Sequence, residues 1–449
     1  MNTVLEAWLE GAHVGRFVQG EDRAVTFDYD ADATGTPISL SLPRERPATR
    51  KAAANFLANL LPDQDDVRAR MARVYEAASV STFDLLAKAG GDVAGGLVLL
   101  PEGESFPTGA PELSPALDRD LADRIASIKR DPIAWVSSEE RSRFSLAGTQ
   151  GKFALADVDG EWYWSNASLA STNIVKPARP ELRGLEEAEA AALRLAANIG
   201  VPAPRAGILR VADQTAFIIE RFDREPGRPF AKRLHAEDLA QATGIAPGAK
   251  YGMSAIQALL LIASVDDDEQ RIAYAFVRQL AYNTAIGNAD AHAKNYSLLL
   301  RPTGAELAPL YDAVPVGLYP EFNRELAMDI SGARRAQEVT LDHWRKFART
   351  AVLNTDAVIE IVTDVAQGVA EHADSAWDAL DDDQRQAMKE ISVRNTGNIL
   401  NPRRGGPKPH RSLPGDVRGR TARRKDVGAF GNGGRFATRP DSAPEITLD

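Results

Sequence analysis

The feature that most restricts this chain is an apolar hairpin held between polar side chains. After Asn288-Ala289-Asp290-Ala291-His292-Ala293-Lys294-Asn295 comes Tyr296-Ser297-Leu298-Leu299-Leu300. A turn at Pro302 to Gly304 follows, then Leu307-Ala308-Pro309-Leu310-Tyr311-Asp312. The leucines demand burial, while carboxylates and amides are costly to bury without partners. A fold that satisfies both puts the hairpin inside and gathers Asp290, Asn295 and Asp312 around something positively charged. An Asp, an Asn five residues later and a second Asp after a short hairpin is also the spacing of a kinase catalytic loop. Asp290 would then meet a substrate hydroxyl, and Asn295 and Asp312 would offer hard oxygen ligands to Mg2+. The plainer reading of Asp290 is a cap on the turn after a helix; the joint spacing of the three favours the catalytic one.

The rest of the chain supplies a setting for such a loop. Residues 1–110 form a small α+β unit: three alternating segments with Gly11 and Gly20 between them, three short helical patterns over 49–61, 66–77 and 81–89, and a closing strand over 95–101. A Pro-, Gly- and Ser-rich linker and a connecting helix take up 111–140. Residues 141–224 are strand-rich, with one helix over 184–200; residues 225–395 are mostly helical, beginning with a helix over 236–241. A small sheet lobe followed by a larger helical lobe predicts a two-lobed, kinase-like α+β fold across 141–395. Residues 396–449 are rich in Gly, Pro and Arg and predict disorder.

Several other side chains fit a nucleotide site. Ser145-Leu146-Ala147-Gly148-Thr149-Gln150-Gly151-Lys152 lies between strand-like segments and is a candidate phosphate cradle, although it is neither a Walker A loop nor a Gly-x-Gly-x-x-Gly. Lys176 ends a strand and would pair with phosphates, held by Glu189 on the next helix; alternatively Glu189 is one of several surface glutamates with Glu186 and Glu187. The apolar run ending in Glu220-Arg221-Phe222-Asp223 resembles a hinge between lobes. Backbone groups at Glu220 and Phe222 would meet the adenine edge, and Asp223 the ribose; the alternative is an edge strand with surface charges. Lys294 would neutralise the transferred phosphoryl group or lie solvated. His292 would pack the loop or touch a phosphate.

Charge and composition exclude other chemistries. With no cysteine, there are no disulfides, thiolate metal sites or cysteine nucleophiles. The six histidines show no zinc-ligand spacing. The net charge is −10; residues 396–449 hold 11 Lys and Arg against 5 Asp and Glu, or +6, so the body carries −10 − 6 = −16. Such a body argues against broad electrostatic binding of nucleic acid. The longest apolar run, residues 258–265, is far short of the roughly 20 that span a membrane. The N-terminus shows no basic region or long apolar run, and a cytoplasmic protein without membrane contact is expected.

Together these motifs resemble the HipA family, the kinase toxins of bacterial type II toxin–antitoxin systems. The resemblance spans residues 1 to about 395. It is carried by Val14-Gly15, Leu40-Ser41-Leu42-Pro43, Phe56-Leu57-Ala58-Asn59-Leu60-Leu61-Pro62, Asp84-Leu85-Leu86, the 147–152 loop, Ile174-Val175-Lys176, Glu220–Arg224, Asn288–Asn295 and Leu310-Tyr311-Asp312, in family order. It implies a serine/threonine protein kinase using ATP and Mg2+, with Asp290 catalytic and Asn295 and Asp312 on the metal. Ala147, Gly148, Thr149, Gln150, Gly151, Lys152 and Lys176 would contact phosphates. Glu220, Arg221 and Phe222 would line the adenine site; the nucleotide would also touch Asp223, His292, Ala293, Lys294 and Tyr311. Ser145 matches a serine that such kinases autophosphorylate. A HipB-like helix-turn-helix antitoxin, operator DNA through it, and a substrate of the aminoacyl-tRNA synthetase class are implied as partners. Thr149 and Gly151 depart from the small and acidic residues usual there. A kinase of a small molecule or lipid, or a turnover-deficient partner in an antitoxin–DNA complex, are the alternatives.

Overall fold

The computed structural model describes residues 3–401 apart from 132, 135, 137–144, 146, 149, 267, 268 and 321. The expected disorder of the tail therefore lies outside the described residues from 402 onward.

Alternating apolar residues build the first sheet from β1 (Thr3–Leu9), β2 (Ala12–Gln19) and β3 (Val25–Tyr29). Helices α1 (Arg50–Asn59), α2 (Asp65–Val74) and α3 (Thr82–Ala89) follow, and β4 (Leu97–Pro101) closes the antiparallel sheet in the order β3-β2-β1-β4. Thr49 caps α1 by accepting from Ala52 N, and the helix turns Ala53, Phe56 and Leu57 inward. Phe17, Phe27, Phe56 and Leu85 belong to a core separate from that of the rest of the molecule.

The linker ends in a short edge strand, β5 (Ser114–Pro115), before α4 (Asp118–Arg130). Next come β6 (Phe153–Val158), β7 (Glu161–Trp164), β8 (Asn173–Lys176), α5 (Leu185–Asn198), β9 (Ala206–Val211) and β10 (Gln214–Glu220). They form an antiparallel six-stranded sheet, β5-β7-β6-β8-β10-β9. Lys176 stands opposite Phe217 at the end of β8.

Two short strands, β11 (Arg224–Glu225) and β12 (Lys232–Arg233), lead into the helical lobe. The helix expected over 236–241 is instead β13 (Ala236–Asp238) followed by α6 (Leu239–Ala242). The first three residues pair with β14 (Ser297–Arg301), which pairs in turn with β15 (Gly304–Leu307). Around this hairpin lie α7 (Ala255–Ile262), α8 (Arg271–Ile286), α9 (Leu341–Thr350), α10 (Thr355–Glu371) and α11 (Asp382–Leu400). Helix α11 runs past the boundary expected at 395: the Thr396 hydroxyl donates to Ser392 O, and Ile399 is buried. One continuous apolar cluster joins the six-stranded sheet to these helices, so the two lobes share a core. The result is a two-lobed kinase-like α+β fold with an N-terminal α+β domain. Among the described residues, no helix is long and apolar enough to cross a membrane.

Candidate active site

Helix α8 ends on Gly287, whose φ of 77° is the left-handed geometry glycine adopts at low cost. The chain reverses there into the loop that carries Asp290 and Asn295. Asn288 fastens this loop to the second carboxylate: its Oδ1 accepts from Asp290 N at 3.1 Å and its amide donates to Asp312 O at 3.0 Å. Asp312 follows the hairpin with φ 54°, an uncommon conformation for a residue with a Cβ. The first strand of the hairpin, β14, is thus buried, β15 is partly exposed, and the hairpin's ends are joined.

The candidate side chains converge on Asp312. Lys176 Nζ donates to Glu189 Oε1 at 3.1 Å and to Asp312 Oδ1 at 3.2 Å, all three side chains being buried. Asn295 Nδ2 donates to Asp312 Oδ2 at 2.6 Å. Asp290 lies at the rim, where Tyr251 donates to its Oδ1 at 2.7 Å. Burial pushes the Asp312 carboxyl above its usual range against the pull of Lys176 and Lys152. Burial likewise pushes Glu189 up to about 7; Lys176 opposes this and Asp312 adds to it. Glu189 is therefore no surface glutamate. Nor is Glu186, which accepts from Ala178 N.

Buried carboxylates raised in this way are what a divalent cation would relieve. Asn295 Oδ1 is buried without a hydrogen-bond partner among the described residues and sits on the amide that holds Asp312. One carboxylate and one amide oxygen fit Mg2+, which keeps waters and takes phosphate oxygens for its remaining positions. Asn295 and Asp312 are the residues that would hold it.

The 145–152 loop folds against the N-terminal domain. The Ser145 hydroxyl donates to Leu60 O at 2.7 Å, its N–H donates to Asp92 O, and its exposure is 1%. Asp63 N–H donates to Gly148 O at 3.1 Å. Lys152 is fully buried, with Nζ donating to Ala147 O. Ala147 lines a small cavity together with Phe222 and Lys294, while Gln150 and Gly151 are buried. Thr149 lies outside the described residues.

The hinge and loop candidates divide, with Asp223 and the solvated reading of Lys294 corrected. Of the hinge residues, Phe222 faces this cavity and stacks on Tyr311, with centroids 5.2 Å apart and planes at 17°. Glu220 is exposed; its N–H is taken by Arg205 O, and its carboxylate faces Arg205. Arg221 and Asp223 turn the other way. The Arg221 guanidinium donates to Asp223, Ser171 Oγ and Val93 O. Asp223 also accepts from Gly95 N and pairs with Arg224, which reaches Asp92 of the N-terminal domain. All these groups are buried, and their mutual pairing leaves Asp223 unavailable to a ribose. Lys294 is not solvated: it faces Asn59 O at 3.3 Å and Asp63 Oδ1 at 3.5 Å. His292 packs edge-on against Tyr251 at 4.9 Å. Its Nδ1 accepts from Lys294 N, and burial with Lys250 and Lys294 nearby holds it neutral. Ala293 is fully buried beneath the loop.

The sequence did not single out Asp63, Tyr251 or Lys250. Lys250 Nζ lies 2.9 Å from Asp63 Oδ2. Burial pushes the Asp63 carboxyl up, but Lys250 and Lys294 outweigh it and hold the group below its ordinary value. Asp63 directly follows Asn59-Leu60-Leu61-Pro62, the one nearby signal available in the chain itself.

A family model described as the HipA-like C-terminal domain matches residues 144–373, and one described as the HipA N-terminal domain matches residues 5–100. The Y4mE protein of Sinorhizobium fredii is 31% identical over 382 residues, covering 82% of this chain and 90% of that protein. The serine/threonine-protein kinase toxin HipA of Shewanella oneidensis is 30% identical over 363 residues, covering 74% of this chain and 80% of the toxin. A solved complex of Shewanella oneidensis HipA, HipB and operator DNA contains a chain similar to this one with a TM-score of 0.74 at 26% identity, covering 88% of this chain and 96% of that one.

Proposed function

This chain belongs to the HipA family of kinase toxins, and from that premise we propose that it is an ATP-dependent serine/threonine protein kinase. The observation that carries the proposal is the convergence of Lys176, Glu189, Asn295 and Asp312 on one buried point beside Asp290. Mg2+–ATP, when bound, would supply the transferable γ-phosphoryl group and further positive charge beside Asp312. Lys176, oriented by Glu189, meets the phosphates. Asp290 accepts the proton of the substrate hydroxyl as it attacks, and Tyr251 holds the carboxylate in place. Asn295 and Asp312 would hold the metal, and Phe222 would stack near the base.

The protein substrate is a translation-related protein of the aminoacyl-tRNA synthetase class, and Ser145 is the site of autophosphorylation. The partner is a HipB-like helix-turn-helix antitoxin that brings the chain to operator DNA; the solved Shewanella oneidensis assembly supports this reading. The site of action is the cytoplasm. Incubation of the protein with γ-labelled ATP, magnesium and cell lysate tests the activity. Label on protein with the wild type, and none with Asp290→Ala, is expected; an unlabelled lysate with both would end the kinase reading.

A further inference from the structure

Two neighbouring side chains of one turn join the N-terminal domain to the candidate catalytic carboxylate. The short 3-10 turn over Pro247–Gly252 carries both Lys250 and Tyr251. Lys250 Nζ is 2.9 Å from Asp63 Oδ2, and the Tyr251 hydroxyl donates to Asp290 Oδ1 at 2.7 Å. Lys250 is fully buried and Tyr251 is half-buried.

The N-terminal domain also grips the segment that leads into this turn. The Ser41 hydroxyl donates to Gln241 O at 2.8 Å, the Asn55 amide to Gly244 O at 2.7 Å and the Asn59 amide to Ile245 O at 2.9 Å. Gly244 has a φ of 66°, and a Cβ on it would stand 3.2 Å from Ser41 Cβ and 3.3 Å from Ala52 Cβ. Glycine therefore lets the two domains come this close. Three carbonyls and one ammonium group between residues 241 and 250 rest on the N-terminal domain.

Asp290 is held by its backbone and by its side chain. Its N–H donates to Asn288 Oδ1, which fixes the main chain. A carboxylate turns about a broad torsion, so a hydrogen bond to Oδ1 decides how its plane faces an incoming hydroxyl. The Tyr251 ring has a seat of its own from which to do this. It lies edge-on to the buried His292 at 4.9 Å, with Lys250 Nζ 5.5 Å from its centroid.

We propose that Tyr251 is a positioning residue for Asp290 and that the N-terminal domain sets its aim, through Asp63 and Lys250 and through the carbonyls that Asn55 and Asn59 hold. This rests on the kinase reading above. Asn55, on α1, would act on the reaction through the segment it grips.

The test is label transfer from γ-labelled ATP, with magnesium, to the protein of a heat-treated cell lysate. The full-length chain is used, ATP is varied to separate apparent kcat from KM, and each variant is first checked for a native melting transition. Tyr251→Phe should lower apparent kcat roughly tenfold and leave KM for ATP unchanged. Lys250→Gln and Asn55→Ala should each lower it roughly threefold, and neither should lower it further once Tyr251 is replaced by Phe. Asn55 is half-buried, so Asn55→Ala decides the matter if Lys250→Gln does not fold. An unchanged or raised kcat in Tyr251→Phe overturns the positioning role and leaves the kinase reading intact. Additive losses in the double variants overturn the link to the N-terminal domain. No transfer by the wild type overturns the kinase reading, and this inference with it.

Discussion

Asp63 of the N-terminal domain faces Lys294 of the 288–295 loop at 3.5 Å and Lys250 at 2.9 Å, and its own N–H donates to Gly148 O of the 145–152 loop. One residue thereby ties three segments together. Asp63→Asn leaves two buried lysines without their carboxylate. A stability loss of about 3 kcal/mol is expected in denaturant titration. Adding Lys294→Met to that variant should recover part of the loss; no recovery would mean the two side chains are not coupled.

Asp290→Ala removes the group at the attacking hydroxyl and spares the groups that contact phosphate. Transfer should drop by about 10²–10⁴-fold, while fluorescence titration still detects nucleotide. Full turnover in this variant would remove Asp290 from its role.

Ser145 is 1% exposed and hydrogen-bonded to the Leu60 carbonyl. A phosphate dianion there would face a carbonyl oxygen at close range, so the modified loop has to leave its seat. Mass spectrometry after incubation with ATP and magnesium should find phosphate on Ser145. Limited proteolysis should then cut near residues 145–152 faster than in Ser145→Ala. A modified protein as resistant as the variant would contradict loop release.

Burial raises the Glu237 carboxyl to about 8 and Asp238 to about 6. A folded-state value above the unfolded one means that the native protein holds protons the unfolded chain has released. The stabilising effect is complete below pH about 4 and fades as pH rises through the folded value. Stability should fall between pH 5 and 8, by up to about 1.4 kcal/mol per pH unit for each such group. Glu237→Gln should flatten that slope; an unchanged slope would assign it to other groups.

Truncation after Asn395 removes Thr396 and the buried Ile399 from α11, whereas truncation after Asn401 leaves the helix whole. The shorter protein should lose about 2 kcal/mol from the buried isoleucine alone. The longer one should keep its melting temperature. Equal melting of the two would show that the last turns contribute nothing.

The parts of the site legible in the chain were those whose partners lie close in sequence. Asp290, Asn295 and Asp312 are joined by one short hairpin, and Lys176 and Glu189 by a strand end and the following helix. Asp63 and Asp92 reach their partners across domains and Tyr251 reaches Asp290 across 39 residues, and no local pattern announces either. At the hinge, the turn just past β10 sends Arg221 and Asp223 to Asp92 and its neighbours, while Phe222 faces Tyr311. Their polarity suggested a ligand, but Arg224 next to them and Asp92, distant in the chain, claim that side instead. At residues 236–238 pairing with β14 overrode the helical pattern. In α11 the Gly-, Pro- and Arg-rich composition from residue 396 predicted disorder, yet Ile399 had a core to enter and carried the helix on.

The 145–152 loop is bonded on one side to Leu60, Asp63 and Asp92, and on the other its Ala147 lines the cavity beside Phe222 and Lys294. A single short segment therefore lies at once on the seam between the domains and on the cavity wall. Linkage demands reciprocity: whatever nucleotide does to the grip between the domains, a partner that tightens or loosens that grip does to nucleotide affinity by the same factor. A protein that grasps only the outer face of the N-terminal domain would thus sense, and set, how full the distant pocket is.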